Sequence, residues 1–320
     1  MNIVVTGASG FIGGHLCSAL AESGHYVTAV SRAPLIHGSR PRQVDVRADL
    51  ESQVDYEMLL SGCDVIVHLA GLAHQSFDSF DDSAFTSANQ TATLNLARAA
   101  VKHGVKRFIF VSSIKVNGES TPPGAPFTAS SAPQPLDAYG RSKLAAELGL
   151  IVIANTTSIE MTIIRPTLVY GPGVRANFSS LMSMVSKQLP LPLSRVRNRR
   201  SLVGVGNLVS LITVCLDHPG AINQTFLVSD NSDLSTPELI REIAKAQRRR
   251  PYLFPVPMIA LRLGAKIMRK EQLLSRLVDS LQVDTSSTIE KLGWTPPFTT
   301  SEGIAQTVDY WMSSRDECPG

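Results

Sequence analysis

Cysteine is scarce in this chain: four in 320 residues, Cys17, Cys63, Cys215 and Cys318, too far apart for ligand spacing or a disulfide framework. They read as reduced thiols, with no metal site expected. A strong excess of one charge is also missing. The formal net charge is +3, and the basic residues sit in two short clusters, Arg195 to Arg200 and Arg248 to Arg250. That excludes nucleic acid as the main ligand and leaves room for a local anion site. No apolar run approaches the roughly 18 residues needed to cross a bilayer, and the start lacks a basic region and an apolar signal core. A soluble, cytoplasmic protein is expected. Residues 256–268 are apolar enough to touch a membrane surface, but a packed helix is the expectation. Internal repeats and long linkers are absent too. What remains, 43% hydrophobic and 18% charged residues, suits one large domain or two unequal ones with an ample core.

The first thirty residues carry the clearest pattern. Asn2 to Thr6 is a short buried-strand run, followed at once by Gly7-Ala8-Ser9-Gly10-Phe11-Ile12-Gly13. A helical stretch then reaches about Ser23, and Tyr26 to Val30 reads as a second strand. Glycines in such a turn let the backbone approach a pyrophosphate, and the helix N-terminus supplies free N–H groups and a favourable dipole. This is the opening unit of a dinucleotide-binding fold. Further strands follow at residues 44–46, 64–71, 107–111 and 160–165, with Phe85 to His103 as a helix. The alternation predicts an α/β, doubly wound parallel sheet. Its ligands bind beyond the carboxyl ends of the strands, where Gly7, His68, Ala70 and Ser113 fall. The rhythm breaks after Tyr170-Gly171-Pro172-Gly173, and Thr225 to Val228 looks like one more strand of the sheet. Ser235-Thr236-Pro237-Glu238 reads as a capping-box helix start. The expected division is a dinucleotide-binding domain over 1–170, with 201–230 returning to it, a smaller substrate lobe from 171–200 and 231–314, and a tail over 315–320.

Tyr139 and Lys143 stand four residues apart, on one face of a predicted helix. There the ammonium can lower the phenol's pKa, which suits proton transfer near neutrality. His68 is expected to be a packed core histidine, Ser112 a serine satisfying the backbone, Asp137 and Ser130 cap or turn residues, and Phe85, Leu94 and Leu96 core.

Taken together, TGASGFIG, His68-Leu69-Ala70-Gly71, Val111-Ser112-Ser113, Tyr139-Gly-Arg-Ser-Lys143 and Arg165-Pro166 through Tyr170-Gly171-Pro172 resemble the extended short-chain dehydrogenase/reductase superfamily, in its sugar-nucleotide epimerase/dehydratase branch. The match runs through nearly the whole chain in order. It implies a Rossmann-type sheet with a smaller C-terminal substrate-binding lobe, and Ser113, Tyr139 and Lys143 as a catalytic triad. It implies cofactor contacts from Gly7, Ser9, Gly10, Phe11, Ile12, Gly13, Ser31, Arg32, Asp49, Leu50, Leu69, Ala70, Gly71, Asn89 and Pro166, besides Tyr139 and Lys143. A UDP-sugar would meet Ser113, Lys115, Asn177, Arg200 and, with less regular spacing, Arg276. The helices holding Asn89 and Tyr139 are the expected homodimer face.

The second strand ends in Ser31-Arg32 rather than in an acidic residue, which favours NADP(H) over NAD(H). Ser113 is followed by Ile114 and Lys115, not by the Asp-Glu pair of 4,6-dehydratases. The choice then lies between a 4-ketoreductase, a 4-epimerase with bound NAD, and a redox-sensing regulator, which would not need the triad. Ser112 to Glu119 and Arg199 to Asn207 look most like bacterial 4-ketoreductases. Those reduce a UDP-linked 4-keto-6-deoxy-N-acetylhexosamine to UDP-N-acetylquinovosamine for O-antigen or other surface polysaccharide. Reduction is the expected activity, and UDP-hexose 4-epimerisation the alternative.

Overall fold

Apolar runs buried on both faces belong in the interior of a parallel sheet. The computed structural model, which describes residues 1–33, 42–52, 54–72 and 82–316, places them there. β1 (Asn2–Thr6) is followed by α1 (Phe11–Glu22), β2 (Tyr26–Ser31), β3 (Gln43–Arg47), α2 (Tyr56–Leu60) and β4 (Val65–His68). Next come α3 (Asp82–Phe85), a π-helical turn at Thr86–Thr91, α4 (Ala92–Lys102), β5 (Arg107–Val111) and α5 (Ala138–Thr156). Then follow β6 (Glu160–Pro166), β7 (Leu168–Tyr170), α6 (Ala176–Ser186), β8 (Leu202–Gly204), α7 (Val205–Cys215) and β9 (Gln224–Val228). Five helices close the described chain: α8 (Thr236–Ala246), α9 (Met258–Ile267), α10 (Glu271–Val278), α11 (Ser286–Leu292) and α12 (Thr300–Asp316).

Seven strands pair in parallel in the order β3-β2-β1-β4-β5-β6-β9, the expected doubly wound sheet. The strand order reverses between β1 and β4, which fixes a crevice at their carboxyl ends. β7 and β8 form a separate parallel pair, which short-range pattern did not announce. One hydrophobic cluster covers each face of the sheet, and a third gathers Tyr170, Phe178, Met182, Ile240, Ile304 and Val308 from elements after β6. The Ser235–Glu238 capping box forms as expected.

Three expectations need correcting. The helix drawn from Phe85 to His103 is interrupted by the π-helical turn, and one residue of that turn, Asn89, is fully buried. The Ser112 hydroxyl does not satisfy the backbone: it is buried with no hydrogen-bond partner among the described residues. Helix α9 forms, but none of its residues is buried, because it lies on the outside of the third cluster rather than in it. Cys17, Cys63 and Cys215 are buried. Cys318 and positions 317–320 of the expected tail lie outside the described residues, and α12 runs through Asp316.

Beneath the carboxyl end of β6 lies a buried polar network. Arg165 donates from Nε and Nη2 to the Glu147 carboxylate at 3.0 and 2.5 Å, and from Nη1 to Asn117 Oδ1 at 3.0 Å. Both charges are almost wholly removed from water. Removing one partner strands the other, so Glu147→Ala is expected to cost about 3–5 kcal/mol, read as a lowered midpoint in urea denaturation.

Candidate active site

The crevice at the switch point is built by backbone alone. Gly7 has φ +71°, and a Cβ there would sit 2.7 Å from the Ala70 nitrogen and 2.9 Å from the Leu69 carbonyl carbon. At Gly13 a Cβ would fall 2.2 Å from the Gly7 oxygen, so side chains are excluded where α1 leaves the turn. Gly10 N–H closes the turn on the Gly7 carbonyl at 2.9 Å. Ser9 and Gly10 are exposed at its rim, and Phe11 and Ile12 are half-buried at the helix start. A side-chain-free turn, free N–H groups at a twelve-residue helix and a strand-order reversal fit a dinucleotide's pyrophosphate. The Gly171 turn packs over it, since a Cβ on Gly171 would lie 3.5 Å from the Phe11 ring, and His15 Nε2 meets the Pro172 carbonyl at 2.8 Å.

Behind the turn runs a directional hydrogen-bond chain. Ala70 N–H donates to Thr6 Oγ1 at 3.3 Å, and Thr6 Oγ1 meets His68 Nδ1 at 2.6 Å. On the other side His68 Nε2 meets Thr93 Oγ1 at 2.8 Å, and Thr93 donates its proton to the Asn89 carbonyl at 2.7 Å. Because the Thr93 proton is committed, His68 must donate from Nε2 and accept at Nδ1. That requires a neutral ring, and burial, helped by the Lys143 charge, holds its pKa down to about 3. His68 is a core histidine, as expected.

Ser113, Tyr139 and Lys143 converge at the carboxyl end of β5. Ser113 ends the strand extended, and its Oγ accepts from Lys115 N–H at 3.2 Å. Asp137 caps α5 by accepting from Gly140 N–H at 2.7 Å, which places Tyr139 in the first turn with its hydroxyl hydrogen-bonded to Ser113. Lys143, buried one turn on, donates to the Val111 carbonyl at 3.1 Å and lies 4.5 Å from the Phe110 ring centroid. Its Nζ is 3.4 Å from where a Gly71 Cβ would stand, so the ammonium lies beside the β4 turn.

The electrostatics differ from expectation. Burial pushes the Tyr139 phenol up to about 12, the Ser113 hydrogen bond opposing and the Asp137 charge adding to the rise. Burial lowers the Lys143 ammonium to about 8, against the pull of Glu147. The expected depression of the phenol by Lys143 is therefore absent here, where Lys143 is directed at the Val111 carbonyl. Tyr139 is protonated at neutral pH.

Asn89 Oδ1 accepts from Leu72 N–H at 2.7 Å, and its Nδ2 donates to Leu72 O at 3.0 Å and to Ser142 Oγ at 2.9 Å. It thus clamps the end of Leu69-Ala70-Gly71 to α5. Pro166 is buried at the end of β6. Leu50 is buried against the sheet while Asp49, beside it, is exposed and accepts from Glu51 N–H at 3.2 Å. Ser31 donates to the Ala33 carbonyl at 2.6 Å. Arg32 is exposed, and Glu51 Oε1 stands 3.6 Å from its Nη1. A carboxylate from the turn after β3 thus stands beside Arg32 at the end of β2, which sequence spacing did not reveal.

On the lobe side, Lys115 is paired with Glu119 at 2.9 Å and with Asp137, an arrangement that holds the Asp137 carboxylate below its usual range despite burial. Arg200 donates to the Asp279 carbonyl at 3.0 Å. Burial lowers its pKa, the Asp279 charge opposes this, and Arg276 lowers it further. The two candidate anion-binding arginines are thus brought within electrostatic reach of each other, although they come from distant segments. Asn177 is exposed in the first turn of α6. Asp230 escaped sequence reading: its carboxylate ties Tyr170 (2.6 Å), Gly204 N–H (2.8 Å) and Asn207 (2.7 Å) together at the lobe junction.

Fold and cleft define a Rossmann-type α/β protein in which Ser113, Tyr139 and Lys143 converge beside a turn that fits a dinucleotide's pyrophosphate. The chain belongs to the NAD dependent epimerase/dehydratase family, whose model matches residues 3–228. It is 43% identical to a UDP-glucose 4-epimerase of Vibrio cholerae, covering 98% of this chain and 97% of that one. It is 26% identical to the Escherichia coli O157:H7 N-acetyl-alpha-D-glucosaminyl-diphospho-ditrans,octacis-undecaprenol 4-epimerase, over 97% of this chain and 95% of that one. Among solved structures, MoeE5 in complex with UDP-glucuronic acid and NAD superposes with a TM-score of 0.80 at 26% identity, covering 98% of this chain and all of the other.

Holding a lysine in a site that lowers its pKa to about 8 costs stability. Between pH 8 and 10.5 the unfolded chain binds more protons than the folded one, so stability contributed by this group rises with pH there, and below 8 the full penalty applies. Lys143→Met is therefore expected to stabilise the ligand-free protein at pH 7 by about 2–3 kcal/mol, shrinking towards zero near pH 10.5. Denaturant titrations of both proteins at pH 7 and 10.5 check the sign and the window.

Proposed function

We propose that this chain transfers a hydride and a proton at C4 of a UDP-linked sugar, using a nicotinamide dinucleotide. The observation that carries this reading is the convergence of Ser113, Tyr139 and Lys143 beside a turn that admits no side chain. When bound, the nicotinamide supplies or accepts the hydride. Tyr139 passes a proton to or from the C4 oxygen, and Ser113, already hydrogen-bonded to it, holds that oxygen in line. Lys143 binds the cofactor ribose and carries positive charge beside the phenol. The glycine turn takes the pyrophosphate, and Leu69 to Gly71, clamped by Asn89, borders the nicotinamide. Residues 171–200 and 231–314 form the substrate lobe, where Arg200 and Arg276 bind the UDP diphosphate and Asn177 lines the sugar side. Lys115 acts mainly by fixing Asp137 and the start of α5. Exposed Leu148, Ile151 and Val152 on α5 support a homodimer through α4 and α5.

Two outcomes of the same C4 step are open to this machinery. The first is 4-epimerisation with retained NAD, which the full-length likeness to the Vibrio cholerae enzyme and the NAD-bound MoeE5 structure support. The second is net reduction of a UDP-4-keto-6-deoxy-N-acetylhexosamine by NADPH. Specific observations favour it: Arg32 directly after β2, and Lys115-Val116-Asn117-Gly118 shortly after Ser113.

The test presents the protein with UDP-glucose and UDP-N-acetylglucosamine plus catalytic NAD, and separately with the UDP-4-keto sugar plus NADH or NADPH. Interconversion without net cofactor turnover establishes the epimerase; stoichiometric oxidation of the reduced cofactor establishes the reductase. Tyr139→Phe is expected to lose at least about two orders of magnitude in either reaction, with cofactor binding kept; near-normal turnover would remove Tyr139 from the chemistry. Arg200→Ala is expected to raise KM at least about tenfold with little change in kcat, as loss of a charge-assisted contact demands. An unchanged KM, or failure of UDP to compete with substrate, places the diphosphate elsewhere.

A further inference from the structure

Helix α9 takes no part in the site just described. Its inner side meets the second lobe through Met258, half-buried against the third cluster. Its outer side is unusual: Ile259 is 82% exposed, Leu263 59% and Ile267 76%. At about 100° per residue these three, four apart, form one outward row. Arg262 and Lys266, one position before Leu263 and Ile267, place two cations along its edge, and Lys270 follows just beyond the helix end, as the N-cap of α10. No carboxylate occurs between residues 251 and 270. Arg262 lies 3.6 Å from Asp279 and is still largely exposed.

An ordinary solvated helix face carries polar residues where this one carries branched aliphatics. A protein interface core is depleted of lysine, and two copies of this face would set like charges together. Apolar residues in a row with cations beside them, and no acid on the helix itself, match the physics of a helix lying in the headgroup region of a bilayer. No helix among the described residues is long and apolar enough to cross one.

We propose that α9 docks the protein peripherally on an anionic membrane surface. Ile259, Leu263 and Ile267 enter the interface, and Arg262, Lys266 and Lys270 pair with lipid phosphates. The idea is independent of the C4 chemistry, so either can fail without the other.

The experiment is cosedimentation of the full chain with vesicles of phosphatidylglycerol and phosphatidylcholine, compared with phosphatidylcholine alone. Expected is saturable binding to the anionic vesicles, weakened by about 0.5 M salt. The variant Ile259→Ser/Leu263→Ser/Ile267→Ser is expected to lose at least about tenfold in partitioning, with thermal midpoint and turnover on soluble substrate unchanged. Arg262→Gln/Lys266→Gln/Lys270→Gln is expected to abolish the preference for anionic lipid. The proposal is overturned if the wild type does not bind vesicles or does not discriminate between them. It is overturned equally if the serine variant binds as well as wild type, or if that variant instead dissociates an oligomer in sedimentation velocity, which would assign the face to a second copy.

Discussion

Between the turn after β1 and the turn after β4 there is space for two backbones and nothing else. The missing Cβ atoms at Gly7 and Gly13 allow α1 to start directly over the crevice where the strand order reverses. Any side chain there would have to push β1 from β4 or α1 from the sheet, and the interior is too densely packed to yield cheaply. The same contact sets the height of Leu69 to Gly71, and hence the position of the Lys143 ammonium that lies against Gly71. The phosphate cradle and the reacting end of the site are thus two sides of one close approach.

Holding that approach rigid falls to neutral hydrogen bonds, while the charged groups nearby come at a cost. From Ala70 through Thr6, His68 and Thr93 to Asn89, each proton has one direction, so β1, β4 and the π-helical turn are locked in a single arrangement. Asn89 extends the lock to Leu72 and to Ser142 on α5. Against this frame Lys143 is buried with a carbonyl and an aromatic face for company, while Glu147, one turn on, is already engaged by Arg165. A protein selected for stability alone would pair the lysine or replace it. Its retention unpaired, at the mouth of a crevice, is what a site awaiting a ligand requires.

Local patterns made much of this legible. The glycine turn, the all-apolar strands and the four-residue Tyr139–Lys143 spacing each depend on interactions within a few residues, and the structure forms them where the sequence marks them. What escaped depends on distant partners. The β7–β8 pair joins segments more than thirty residues apart, and Asp230 acts from beyond β9. Glu51 reaches Arg32 from the next strand's turn, which no inspection of β2 alone would show. The phenol was expected to feel Lys143 because both share a helix face, but side-chain direction decided otherwise: the ammonium follows the Val111 carbonyl. For α9 the apolar character was visible, yet whether its apolar row faced in or out depended on how much core the third cluster already had.

The choice between the two C4 reactions cannot lie in Ser113, Tyr139 or Lys143, since both outcomes need the same proton and hydride movements. It must lie in how long the cofactor stays and whether a keto sugar has room to turn over. On the reading proposed above, cofactor retention would be set partly at Arg32. Paired with Glu51, its guanidinium has a carboxylate beside it at the end of β2; released from Glu51, it would be a partner for a 2′-phosphate. At 3.6 Å between two side chains that are both open to solvent, the ion pair is weak, worth on the order of 1 kcal/mol or less. A dianionic phosphate has little difficulty displacing it. On that reading, this solvent-exposed contact at the end of β2, rather than the buried triad, is where exchange of a reduced cofactor on every turnover and retention of a single NAD would part ways.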